Sequence, residues 1–195
     1  VPDAETTIIK GSWPVTPFAD IGEVHEAEGD EDELIRALEG CEVAFVHASP
    51  FTEKVIAVAT PTLKLITVGR GGPVNINLDA AKKHGVTVSN APGRNATATA
   101  EHSVAMILAS VRQLVDRHNE LVAGQWRGDY YAYENVAPEV RGSTVGLIGY
   151  GAIGSRVART LHAMGAQVLA YDPYVAAADM PDAEKLEDLD ELLRR

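Results

Sequence analysis

An α/β fold built on parallel strands is what this sequence predicts, and two observations predict it. Residues Thr144 to Asp172, TVGLIGYGAIGSRVARTLHAMGAQVLAYD, run through a β-branched strand, a glycine turn, an apolar helix and a second strand within about 30 residues. Upstream, short apolar runs alternate with helical stretches, the pattern of a parallel sheet with crossover helices. The expected division is a small α/β unit over residues 1–92 and a second unit over 93–195.

In the first unit, TTIIK (6–10), VAFVH (43–47), LKLITV (63–68) and VTVS (86–89) have the length and β-branched content of short buried strands. Between them EDELIRALEG, TEKVIAVA and NLDAAKKHG read as helices, and Gly40 and Gly85 stand where C-terminal caps belong. Cys41 opens an apolar run without an activating pattern, so it reads as a small core residue. Next, Val104, Ile107, Leu108, Val111, Leu114, Val115, Leu121 and Val122 recur at helical spacing and predict one long helix over about 98–123, ended by Gly124. Such a broad apolar stripe expects burial against another domain or subunit. Residues 124–143 read as an irregular connection in which Trp126 anchors packing. The acidic stretches at 26–33 and 179–190 read as solvated surface.

The glycine turn carries the chemistry. Gly149 lets the strand turn sharply, Gly151 removes a side chain where a pyrophosphate approaches, and Gly154 lets the helix lie close to the sheet. The backbone amides of Ala152 and Ile153 then open the helix with unpaired donors suited to a pyrophosphate, and Tyr150 within the turn is counted with the same cofactor site. Asp172 ends the second strand about 18 residues after Gly154 and offers acceptors to an adenosine ribose. No Lys or Arg lies between Asp172 and Lys185, so the expected cofactor is NAD and not NADP.

A net charge of -11 argues against a nucleic acid or an acidic membrane as partner, since phosphates are repelled. No apolar run approaches the roughly 18 residues of a membrane span. The N-terminus lacks the basic, apolar and small-residue succession of an export signal, and one cysteine excludes an internal disulfide; a cytoplasmic location is expected. No metal site is expected.

The succession GRGGPVNINLDAAKKHGVTVSNAPGRNATATAEHSVAMILASVRQL, then RGSTVGLIGYGAIGSRVARTLHAMGAQVLAYDPY, resembles the NAD-dependent D-isomer-specific 2-hydroxyacid dehydrogenases, among them D-3-phosphoglycerate dehydrogenase and hydroxypyruvate reductase. The likeness runs over nearly the whole chain from about residue 40. It implies a flavodoxin-like substrate domain followed by the first half of a Rossmann dinucleotide-binding domain, a homodimer through the long helix, and hydride transfer between the nicotinamide and C2 of a 2-hydroxy or 2-oxo acid. It also implies that Gly71 and Gly72 hold the substrate carboxylate and that Asn95 faces the same cleft. Arg70 and Arg94, beside those segments, suit a second anionic group on the substrate. His102 reads as a packing residue, and His47 has no assigned role.

The chain departs from the family in two respects. The loop after Arg70 is about two residues shorter than the Gly-x-Gly form and contains Pro73. The family's catalytic Arg, Glu and His are expected after Arg195, beyond two strands of the Rossmann half, so no catalytic residue is assigned here and this portion alone is expected to be inactive. A corepressor-like NAD sensor on the same scaffold is the alternative; it needs a peptide-binding surface in the first domain.

Overall fold

The computed structural model describes residues 4–195 and divides into two compact units, 1–94 and 95–195. The first begins with an antiparallel hairpin, β1 (Ala19–Ile21) and β2 (Val24–Ala27). Then follow α1 (Glu31–Ala37), β3 (Val43–Val46), α2 (Glu53–Ala59), β4 (Leu65–Val68), α3 (Leu78–Lys83) and β5 (Thr87–Asn90). Strands β3, β4 and β5 form a parallel sheet in that order, with Val46 opposite Val68 and Val68 opposite Asn90.

The three helices start where local chemistry starts them. Asp30, Thr52 and Asn77 each accept a hydrogen bond from a backbone amide three residues on, satisfying one of the orphan donors of the first turn. Their apolar faces meet one face of the sheet: Leu34, Val55, Ile56, Ala80 and Ala81 pack with Ala44, Val46, Ile66 and Val68. Phe51, Ile56, Leu63 and Ile66 are fully buried. Pleat alternation turns Val43 and Phe45 to the opposite face, where Phe45 is 78% exposed. Cys41 is half-buried against this core, its thiol donating to the Ala37 carbonyl at 3.3 Å.

The second unit contains α4 (Ala96–Val111), α5 (Leu114–Val122), a 3₁₀ turn at Asp129–Tyr131, β6 (Thr144–Ile148), α6 (Gly154–Ala163), β7 (Gln167–Tyr171), a 3₁₀ turn at Ala177–Asp179, β8 (Glu184–Leu186) and α7 (Leu189–Arg194). Its sheet is parallel in the order β6-β7-β8. Val145, Leu147, Val168 and Ala170 face α4 and α6, whereas Leu169 and Leu186 face Leu192 of α7. Gly146 makes room there: a Cβ would meet Leu192 side-chain atoms at 3.4 Å.

Five expectations are corrected. TTIIK forms no strand, because residues 6–10 are exposed and no strand pairs with them; the hairpin β1-β2 supplies the early strands instead. The single helix over 98–123 is two helices, broken at Gln113, whose φ of 53° is left-handed and stops the α ladder. The break separates two surfaces: α4 packs on α6 through Val104, Ile107, Leu108 and Val111, while Leu114, Val115, Leu121 and Val122 of α5 are exposed. The acidic stretch 179–190 holds a third strand, β8, with Met180 and Leu186 buried, so the second unit has three strands and not two. Trp126 is 87% exposed and His102 is exposed as well, so neither packs as expected.

Candidate dinucleotide-binding site

Strand β6 ends in a turn that only glycine enters without strain, Gly149 having φ 95° while its amide donates to the Tyr171 carbonyl at 2.8 Å. That hydrogen bond continues the β6-β7 ladder to the edge of the turn. Tyr150 then buries its ring in the core, at 5% exposure, so only its backbone belongs to the site. At Gly154 an added Cβ would overlap the Gly149 carbonyl oxygen and lie 3.1 Å from its carbon, which brings the first turn of α6 directly onto the end of β6. At Gly151 a Cβ would meet nothing within 4 Å. Open space there is what an approaching pyrophosphate needs.

Helix α6 begins without a side-chain cap: Ile153 occupies the N-cap position and offers no acceptor. The amides of Ala152 and Ile153 donate to no backbone carbonyl among the described residues. Orphan donors, a positive dipole end and an open glycine together fit a dinucleotide pyrophosphate. Ser155 and Arg156 turn back into the helix, donating from Oγ to Gly151 O at 2.8 Å and from the guanidinium to Ala152 O.

Asp172, 8% exposed, follows β7 and faces this turn. Its Oδ2 accepts from the Tyr150 amide at 2.8 Å, and its Oδ1 accepts from the amides of Tyr174 at 2.8 Å and Val175 at 3.2 Å. The Tyr150 amide, then that of Tyr174, holds the carboxyl below the usual aspartate range; burial opposes this, and Val175 and the Lys185 charge add to it. Lys185 lies on β8 opposite Ala170, its ammonium 3.2 Å from Glu187. Lys185 bounds the cation-free stretch after Asp172 in the sequence, and β8 brings it onto the strand beside β7.

In the first unit the loop after β4 is tied to its neighbours. Arg70 is held by the carboxylate of Glu26, by the Glu26 carbonyl at 3.0 Å and over the Phe18 ring at 5.2 Å, and its side chain is 15% exposed. Glu26 itself has φ 47°, a conformation non-glycine residues seldom adopt. Ala91 N donates to Arg70 O at 2.8 Å and Asn90 Nδ2 to Gly71 O at 2.7 Å, so the loops after β4 and β5 are joined. Gly71 and Gly72 have no positive φ, and no atom lies closer than 4.0 Å to a Cβ at either. Arg94, by contrast, is exposed and makes no ion pair among the described residues. Asn95 occupies the N-cap position of α4 in the second unit, with its side chain making no capping bond. Beyond the end of β3, His47 stands 5.6 Å from the Trp13 ring. Asn90 and the Glu26-Phe18 clamp were missed by sequence reasoning; the Asn-Ala-Pro ending of β5 was the available signal for the former.

Residues 104–195 match the sequence profile of the D-isomer specific 2-hydroxyacid dehydrogenase NAD binding domain. The chain is 35% identical over 183 residues to D-3-phosphoglycerate dehydrogenase of Mycobacterium leprae, covering 93% of this chain and 34% of that protein. Among solved structures it is similar to D-lactate dehydrogenase from Aquifex aeolicus complexed with NAD and lactic acid, with 34% identity and a TM-score of 0.71 over 85% of this chain and 47% of that one. NAD-dependent formate dehydrogenase from Staphylococcus aureus in complex with NAD gives 28% identity and a TM-score of 0.70 over 84% of this chain and 49% of that one. The chain belongs to the D-isomer-specific 2-hydroxyacid dehydrogenase family, the match to its NAD-binding domain covering residues 104–195. It spans about a third of the length of the phosphoglycerate dehydrogenase it matches. Among the described residues no helix is long and apolar enough to cross a membrane.

Proposed function

We propose that this chain supplies the substrate-carboxylate loop and the NAD site of an oxidoreductase that moves a hydride between NAD(H) and C2 of a small 2-hydroxy or 2-oxo acid. One observation carries the reading: an open glycine and uncapped amides at the start of α6, with a buried carboxylate at the end of the adjacent strand. NAD supplies the hydride chemistry when bound; the chain's own residues orient it. Gly149, Gly151 and Gly154 bring the backbone to the pyrophosphate, Ala152 and Ile153 donate to it, and Asp172 faces the adenosine ribose, where its charge repels a 2′-phosphate.

In the first unit, the open backbone at Gly71 and the half-buried Gly72 receives the substrate carboxylate; Asn95, at the start of the second unit, is a separate candidate for substrate contact. With Arg70 neutralised by Glu26, a second anion on the substrate is left to Arg94. A homodimer through α5 is part of the proposal, supported by the exposed Leu114, Val115, Leu121 and Val122, and by Trp126 and Tyr131 beyond them. A cytoplasmic location suits a chain with one cysteine.

The test is titration of the chain with NAD and NADP, followed by assay of the full-length protein with NADH and a panel of 2-oxo acids. Tighter binding of NAD and turnover of at least one 2-oxo acid are expected. Equal binding of the two cofactors, or no turnover across the panel, overturns the reading.

A further inference from the structure

Asp172 is the polar side chain on which two backbone segments converge. Its carboxylate has four lone-pair positions. Two on Oδ1 are taken by Tyr174 and Val175, and one on Oδ2 is taken by Tyr150. The Tyr150 amide has no backbone acceptor among the described residues, so the carboxylate is what satisfies it. At 8% exposure water competes poorly for these bonds. The charge also compensates its own burial: three amide dipoles converge on it, and Lys185 on the neighbouring strand adds its field.

We infer that Asp172 is a positioning residue that clamps the glycine turn at Tyr150 to the turn at 174–175 before any cofactor arrives, leaving one lone pair on Oδ2 for one ribose hydroxyl. This rests on the NAD reading for its consequence and not for its geometry. Tyr150 sits between Gly149 and Gly151, so the clamp fixes the turn whose amides meet the pyrophosphate. Removing the carboxylate therefore weakens NAD and NADP together, in place of the simple loss of NAD preference that a ribose reader alone predicts. Asparagine is no substitute. It is isosteric, but whichever way its amide is turned, its NH2 group faces a backbone N–H.

A chemical double cycle separates clamp from ribose reader. Wild type, Asp172→Asn and Asp172→Ala are titrated with NAD and with an NAD analogue whose adenosine ribose lacks the 2′ and 3′ hydroxyls. The clamp predicts that both variants bind the analogue about tenfold more weakly than wild type does, the scale of one charge-assisted hydrogen bond. Equal binding of the analogue by wild type and variants overturns it, and so does full rescue by asparagine. A second readout needs no cofactor and no variant: in the wild-type chain the Tyr150 amide should exchange with solvent at least about tenfold more slowly than an unprotected amide. Fast exchange there overturns the clamp. If wild type binds neither NAD nor the analogue, the cofactor reading fails, and Tyr150 protection alone decides the clamp.

Discussion

Residues 149–154 and 70–73 are both glycine-rich loops leaving the carboxyl end of a parallel strand, and the chain constrains them differently. Gly149 needs its left-handed backbone, and Gly154 has no room for a methyl group. Gly71, Gly72 and Gly151 meet neither condition, since none has a positive φ and space around each is open. A glycine the fold does not require is one that an approaching ligand can explain. The contrast places the first pair with folding, and the second set is proposed for binding; substitution tests the division.

The largest effect is expected at Gly154. Gly154→Ala pushes a methyl group into the Gly149 carbonyl, where rigid backbone on both sides leaves little room to relax. We expect the second unit to lose about 3 kcal/mol in urea unfolding, the upper range of overpacking penalties. A loss under about 1 kcal/mol would show that α6 can back away from the strand, and the structural role of Gly154 would be abandoned.

At Gly151 the opposite outcome is expected. Gly151→Val should leave the unfolding midpoint within about 0.5 kcal/mol of wild type, as at any unconstrained surface site. Its NAD affinity should fall at least about tenfold, because the side chain occupies the space of the pyrophosphate. Unchanged affinity, or a large loss of stability, would erase the distinction between the two kinds of glycine.

Sequence legibility follows the same line between local and distant causes. The unit from 144 to 172 was readable because strand, turn and helix are specified by neighbouring residues, and α1, α2 and α3 were readable as helical stretches between apolar runs, α1 and α3 also from the glycines that follow them. TTIIK misled because β-branched content measures fitness for a sheet and says nothing of whether a partner strand exists. The α4-α5 break was hidden because apolar spacing runs through Gln113 without interruption. Strand β8 offers only three residues, two of them charged, and its strand character comes from pairing with β7. The clamp on Arg70 joins residues 44 positions apart, so no local pattern announces it.

Acid should sharpen the comparison from the side of Asp172. Its folded-state pKa is lowered, so its contribution to stability is present above the ordinary aspartate value of about 3.9 and is lost as pH falls through the folded value. The Lys185 charge adds to the lowering, and its ammonium is itself paired with Glu187 at 3.2 Å. Urea unfolding of wild type and Asp172→Asn from pH 7 to pH 2 should give a stability difference that is flat above about pH 5 and shrinks below pH 4. A difference independent of pH throughout would mean that the Asp172 charge does not favour the folded state.

The smallest effect is expected in the first unit, at Arg94. Arg70 carries its own counter-ion in Glu26 and lies mostly buried over Phe18, so an incoming anion would have to compete with an existing pair. Arg94 has no such competitor among the described residues, and the loop that carries it is joined to the Gly71 loop through Asn90. A second carboxylate or a phosphate on the substrate should therefore feel Arg94 more than Arg70. Being exposed, the charge is screened by water and salt, which limits the gain to about 1 kcal/mol, or roughly fivefold. In the full-length protein, Arg94→Met should lower kcat/KM for a phosphorylated or dicarboxylic 2-oxo acid by about that factor while leaving glyoxylate unchanged, and added salt should narrow the gap. Equal losses on both substrates would mean that Arg94 supports the loop without reading the substrate, and a small monocarboxylate would then be the better match for Gly71 and Gly72.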